Sequence, residues 1–187
     1  MPIFEGLKID WTAFAALTAL AIWLVDGYRK RRERRASRRL LAQIMTAPIA
    51  VAQLEIAKLR SLVVPPGGED TSYLLRVINN QSERRNLASK ASTITFELPS
   101  QFLDKAEIFS AVLSNRLALA FAQINRLRSV CQFLAELPDT ADEDDVTQSL
   151  KLVIVQIQDT EQSVGEAFQA LLSEGRVSAR VQRPRSK

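Results

Sequence analysis

The chain has 187 residues, 47% hydrophobic but only 6% aromatic, with six Gly; that balance favours helices packed through Leu, Ala and Ile over a sheet. It contains no His and one Cys, Cys131, which removes the commonest general base and metal ligand and excludes an intramolecular disulfide or a Cys-based zinc site. The formal net charge is +4, yet Arg29, Lys30, Arg31, Arg32, Arg34, Arg35, Arg38 and Arg39 against Glu33 place +7 in one short run and leave −3 elsewhere, so the basic character is a local feature.

The first element is apolar. Residues 11–25 (WTAFAALTALAIWLV) carry no charge and span about 22 Å as a helix, short of the ~30 Å hydrocarbon core. Counting outward to Ile9 and Tyr28 brings Asp10 and Asp26 near the two interfaces, with Trp11 at one end and Trp23 and Tyr28 toward the other, as an aromatic belt requires. A cleavable signal peptide needs a basic start and a small-residue cleavage site, whereas this chain starts with Glu5, Lys8 and Asp10 and runs from its apolar stretch straight into arginines. An interfacial helix needs a polar face that is absent here. The expectation is a transmembrane helix over 9–28. Within it Thr12, Ala16 and Ala19 share a helical face, and Ala15 and Ala19 fit small-xxx-small spacing, a pattern that permits close helix packing in lipid.

The next segment sets orientation. One flank offers Lys8 and the other eight basic residues, so the positive-inside rule puts residues 1–8 outside and Arg29 onward in the cytoplasm. Trp11, Trp23, Tyr28, Arg29, Lys30, Arg31, Arg32, Arg34 and Arg35 are the expected interface and lipid contacts, since basic juxtamembrane runs attract anionic headgroups. Nucleic acid is not an expected partner, because no aromatic residues interleave the arginines.

Beyond the basic juxtamembrane segment 29–39, residues 40–175 read as an all-α cytoplasmic domain: an antiparallel bundle of about four helices, the last two a long heptad-patterned hairpin. The first helix continues through Val64 with Leu40, Leu41, Ile44, Ala47, Val51 and Leu54 as its apolar stripe. Pro48 lies inside it and predicts a kink or break, and Pro65, Pro66, Gly67 and Gly68 end it. Asp70 or Thr71 caps a second helix bearing Tyr73, Leu74, Val77 and Ile78, which turns polar from Asn79 and regains Leu87. Alternating Ile94, Phe96 and Leu98 in STITFELPS predict an extended connector over 92–100.

Ser100 is a candidate cap for the third helix, whose seam is Leu113, Leu117, Ala120, Ile124, Leu127, Cys131 and Leu134, ended by Pro138. Thr140, Ala141, Asp142 and Glu143 have capping-box form. The fourth helix carries Val146, Leu150, Val153, Ile157, Thr160, Val164, Ala167 and Leu171, with Gly175 as its stop. Residues 176–187 read as a disordered basic tail. Matched seams across a short connection predict an antiparallel hairpin, packed within one chain or against another copy.

No motif carries chemistry. Asp139, Asp142, Glu143, Asp144 and Asp145 lack EF-hand spacing and its Gly, and a di-metal bundle site needs His. Gly67 and Gly68 precede no Gly-Lys-Ser/Thr, and no serine lies in a G-x-S-x-G elbow. Arg84, Arg85, Arg116, Arg126 and Arg128 are the remaining charged features; Arg116, next to Leu117, reads as part of a solvated face. The expected function is therefore non-enzymatic, with no cofactor and no small-molecule substrate: a membrane tether presenting a helical bundle to a protein partner or to itself. The alternatives are an accessory subunit assembling through its transmembrane helix and a small membrane-perturbing effector.

Overall fold

In a computed structural model of the protein, residues 11–65, 71–95 and 109–175 are described, with side chains from residue 18 on. Five helices and no strand occur among them: α1 Trp11–Val63, α2 Ser72–Asn79, α3 Gln81–Thr93, α4 Ala111–Glu136 and α5 Glu143–Gly175. The expected tails 1–8 and 176–187, the cap candidates Asp70 and Ser100, and Phe96 and Leu98 lie outside the described residues.

Helix α1 is 53 residues long and runs unbroken through Pro48, a length of about 80 Å. Of the kink or break expected at Pro48, a break does not occur. Its ring removes the hydrogen bond to the Ile44 carbonyl, and Ile44 is exposed, so water can replace the missing donor. The buried face of α1 also differs from expectation. Leu41, Ala42, Met45, Ile49, Ala52, Ile56, Leu59 and Val63 are buried, whereas Leu40 (59% exposed), Ile44 (44%), Val51 (58%) and Leu54 (56%) are not, and Ala47 is exposed with them. Two apolar stripes run along this helix on nearly opposite sides, and only one packs inside the chain.

The single second helix expected after residue 70 is two helices. At Asn80 the backbone turns extended (φ −142°, ψ 116°), and its side chain accepts the Ser82 N–H at 2.8 Å. This caps α3, with Glu83 in the first turn where the helix dipole favours an acid. Helix α3 then continues through Ser92 and Thr93, so the extended backbone begins only at Ile94, whose side chain is buried.

Helix α4 is capped by Ser110, whose Oγ accepts the Leu113 N–H at 3.3 Å. It ends at Glu136, just before Pro138. The cap of α5 is Asp142 rather than Thr140: the Val146 N–H donates to the Asp142 carbonyl at 3.1 Å, and the Asp144 N–H lies 3.5 Å from Asp142 Oδ1. Helix α5 ends at Gly175.

Helix α5 is the centre of the assembly, packed along α1 on one side and along α4 on the other, while α3 packs on α4 and α2 touches α3 and α5. Ser110 donates to Glu174 at 2.9 Å and Gln156 to Gln123 at 2.6 Å, so α4 and α5 run in opposite directions. Arg38 pairs with Glu174 at 2.9 Å and Arg60 with Glu161 at 3.0 Å, so α1 and α5 do as well. Glu174 thus joins α1, α4 and α5 at one end of the packing.

Candidate functional site

Among the described residues, α1 is the one helix long and apolar enough to cross a membrane, a criterion that core helices and signal sequences also meet. Its apolar residues form two blocks, one before and one after the arginine run. A third of its qualifying window is buried, and no described residue before Leu41 is, so that window lies in the second block. In the first block Ala19, Trp23 and Tyr28 are exposed, and the side chains of Trp11, Thr12 and Ala16 lie outside the described residues.

The basic run follows on the same helix. Arg29, Lys30, Arg31, Arg32, Arg34 and Arg35 are exposed. Arg29 pairs with Glu33 at 3.0 Å and Lys30 with Asp26 at 2.8 Å. Because a helix turns about 100° per residue, basic residues at 29, 30, 31, 32, 34, 35, 38 and 39 are spread around the whole circumference. The result is a collar about 16 Å tall rather than a one-sided patch.

A second cluster was missed from sequence. Arg84 is only 1% exposed and its guanidinium is held almost entirely by carbonyls. Nη1 donates to Val77 O (3.3 Å) and Ile78 O (2.8 Å), and Nη2 donates to Leu137 O (3.0 Å), Pro138 O (3.1 Å) and Asp139 Oδ1 (3.2 Å). Those carbonyls belong to the C-terminal ends of α2 and α4, where aligned peptide dipoles present negative charge. Gln81 joins the clasp through its N–H to Asp139 (2.7 Å) and its side chain to Leu137 O (3.1 Å). The sequence sign of a neighbouring helix start, Asn80 followed three residues later by Glu83, was available; the destination of Arg84 was not. Arg116, by contrast, is exposed.

Between α3 and α4 lies a shallow groove of about 600 Å³ lined by Gln81, Arg85, Ala88, Ser89, Ser92, Gln132, Ala135 and Glu136. Ser92 Oγ donates to the Ser89 carbonyl of its own helix at 2.7 Å. Among the described residues no cluster of carboxylates or thiols could hold a metal ion; in the acidic run, Asp139 serves the clasp and Asp142 the cap of α5.

The hairpin residues form the interior. Leu113, Leu117, Ile124, Leu127, Cys131 and Leu134 of α4 and Val146, Leu150, Val153, Ile157, Val164 and Leu171 of α5 are all buried. A polar layer crosses this interface: buried Gln156 and Thr160 with Gln123, Thr160 Oγ1 lying 2.6 Å from the Gln156 carbonyl. A polar layer of this kind penalises sliding of one helix past the other, since displacement strands its donors.

Burial pushes the Cys131 thiol from its ordinary 9.0 up to about 12. The thiolate is the nucleophile, so a maleimide at neutral pH is expected to leave Cys131 unlabelled in the native chain and to label it fully in denaturant. The same shift makes the protonated thiol the form favoured by folding. Its contribution to stability is complete below pH 9.0 and is lost as pH rises from there toward 12.

Comparison of the chain with protein-family models, with curated proteins and with solved structures finds no match.

Proposed function

We infer that the protein is a membrane tether: residues 9–28 cross the bilayer with the N-terminus outside, residues 29–39 sit among the headgroups, and residues 40–175 form an antiparallel helical bundle in the cytoplasm that engages a protein. One observation carries the reading, namely that α1 passes without a break from the first apolar block through the basic collar into the buried core at Leu41. A helix bearing eight basic residues around its circumference between two apolar blocks has a natural place where hydrocarbon meets water. In the groove between α3 and α4, Ser92 Oγ is bonded to a carbonyl of its own helix, which suits a structural serine better than a nucleophile.

Two measurements on the full chain test this. The protein is expected to stay in the membrane pellet at alkaline pH, and a reporter active only in the cytoplasm, fused after Lys187, is expected to be active; a silent reporter on a membrane-bound chain reverses the orientation. In-cell crosslinking and capture then locate the working part. A partner that persists when Thr12, Ala16 and Ala19 are replaced by Leu is held by the bundle. Its loss in that variant favours instead an accessory subunit that assembles through the membrane helix.

A further inference from the structure

We propose that the outward face of α1 is a self-association surface, closed by a second copy of the chain lying parallel to the first. The parallel sense rests on the membrane-tether reading above.

The observation is one of register. Leu40, Ile44, Ala47, Val51 and Leu54 are separated by steps of four and three, the spacing of a coiled-coil seam, and all five are exposed. Continued toward the N-terminus at the same spacing, the seam passes through Ser37, Glu33, Lys30, Asp26, Trp23, Ala19, Ala16 and Thr12. The small-residue positions of the first apolar block and the exposed apolar positions of the second therefore share one register along one unbroken helix. An undistorted helix drifts about 20° per heptad, so such a pattern stays on one line only when two helices wind left-handed around each other.

Several features select a second copy as the occupant. The second apolar block has the composition of a membrane span, yet only a third of that window is buried within the chain, and its other face lies opposite the one packed on α5. The basic collar, about 16 Å tall, holds Leu40 clear of the hydrocarbon, so lipid cannot cover this face. Two copies held in one membrane with one orientation bring like positions level along the whole seam. At the collar, the seam positions Asp26, Lys30 and Glu33 alternate in sign. In a parallel pair each lies level with its own like charge; within each helix Lys30 pairs with Asp26 at 2.8 Å and Arg29 with Glu33 at 3.0 Å, so the apolar blocks on either side of the collar carry the contact. An isolated seam of residues 40–54 is too short to hold as free peptides. Here the helix is already formed by packing on α5, and confinement to one membrane raises the effective concentration, so little ordering cost remains.

Single cysteines introduced into the full chain and oxidised in native membranes test the proposal, with Cys131 left in place because it is buried. Leu40→Cys, Ile44→Cys, Val51→Cys and Leu54→Cys are expected to give a disulfide-linked band of twice the chain's mass. Gln43→Cys, beside the seam, and Leu152→Cys, exposed on α5, are expected to give at least tenfold less. Adding Ile44→Glu and Val51→Glu to the Leu40→Cys chain should abolish the band. Both positions are exposed, so the monomer fold is preserved, as thiol-protected Cys131 reports. A chain in the membrane pellet that shows no linkage at any seam position overturns the proposal and leaves the tether standing. A chain found in the soluble fraction overturns the tether, and linkage on the seam still decides for or against the pair. A linked product of any other mass assigns the face to a different protein and overturns the proposal.

Discussion

Replacing Arg84 by Ala is expected to destabilise the protein by about 3–5 kcal/mol, the range found when one member of a buried, hydrogen-bonded charged group is removed. The argument rests on who its partners are. Four of the five hydrogen bonds go to main-chain carbonyls at the ends of α2 and α4, and the fifth goes to Asp139, a carboxylate that is 64% exposed. Losing the guanidinium strands several part-buried acceptors at once, each worth about 1–3 kcal/mol when left unmet. Asp139, being wet, simply rehydrates. Asp139→Asn should therefore cost about 1 kcal/mol or less, as for exposed ion pairs. Arg84→Lys should fall close to Ala, because one ammonium cannot span two pairs of carbonyls as the planar fork does. Urea unfolding of the three variants in a mild detergent checks the order. Equal losses for Arg84→Ala and Asp139→Asn would show that the ion pair, not the helix ends, holds the clasp.

The second large effect separates the two stripes of α1. Ile56→Ala, at a position with no exposed surface, is expected to cost about 2–5 kcal/mol through lost apolar transfer and the cavity left against α5. Leu54→Ala, two residues away but pointing outward, is expected to stay within about 0.5 kcal/mol in the dilute, monomeric chain. The same unfolding measurement reads both. If Leu54→Ala proved as costly as Ile56→Ala under those conditions, the helix would be packed on the opposite face.

That pair of residues also shows where reading the sequence stops. The seams of α4 and α5 were legible because each helix carries one strict line of apolar residues at steps of three and four, and every position on both lines is buried. Helix α1 carries two such lines. Leu40, Ile44, Ala47, Val51 and Leu54 are as regular and as apolar as Met45, Ile49, Ala52, Ile56 and Leu59, so periodicity cannot say which faces inward. That is decided by which line meets α5. The α2–α3 break hid for a different reason. One residue, Asn80, leaves helical geometry inside a polar window, and only its cap bond to Ser82 marks the spot. Arg84 was beyond reach, since three of its partners lie more than fifty residues away in sequence, at 137, 138 and 139.

The unbroken α1 also acts as a gauge. With residues 9–28 in the bilayer as proposed, Val63 stands about 50 Å beyond Tyr28 at 1.5 Å per residue, and the helix between them is continuous. Any protein engaging them meets them at one height and one azimuth. Each residue inserted into the collar would raise the domain by about 1.5 Å and turn it through about 100°. Spacing to a partner fixed in the same membrane is thus written into the residue count between Tyr28 and Leu41. A change of a whole heptad there alters reach and largely keeps aim, whereas a change of two residues turns the docking face away.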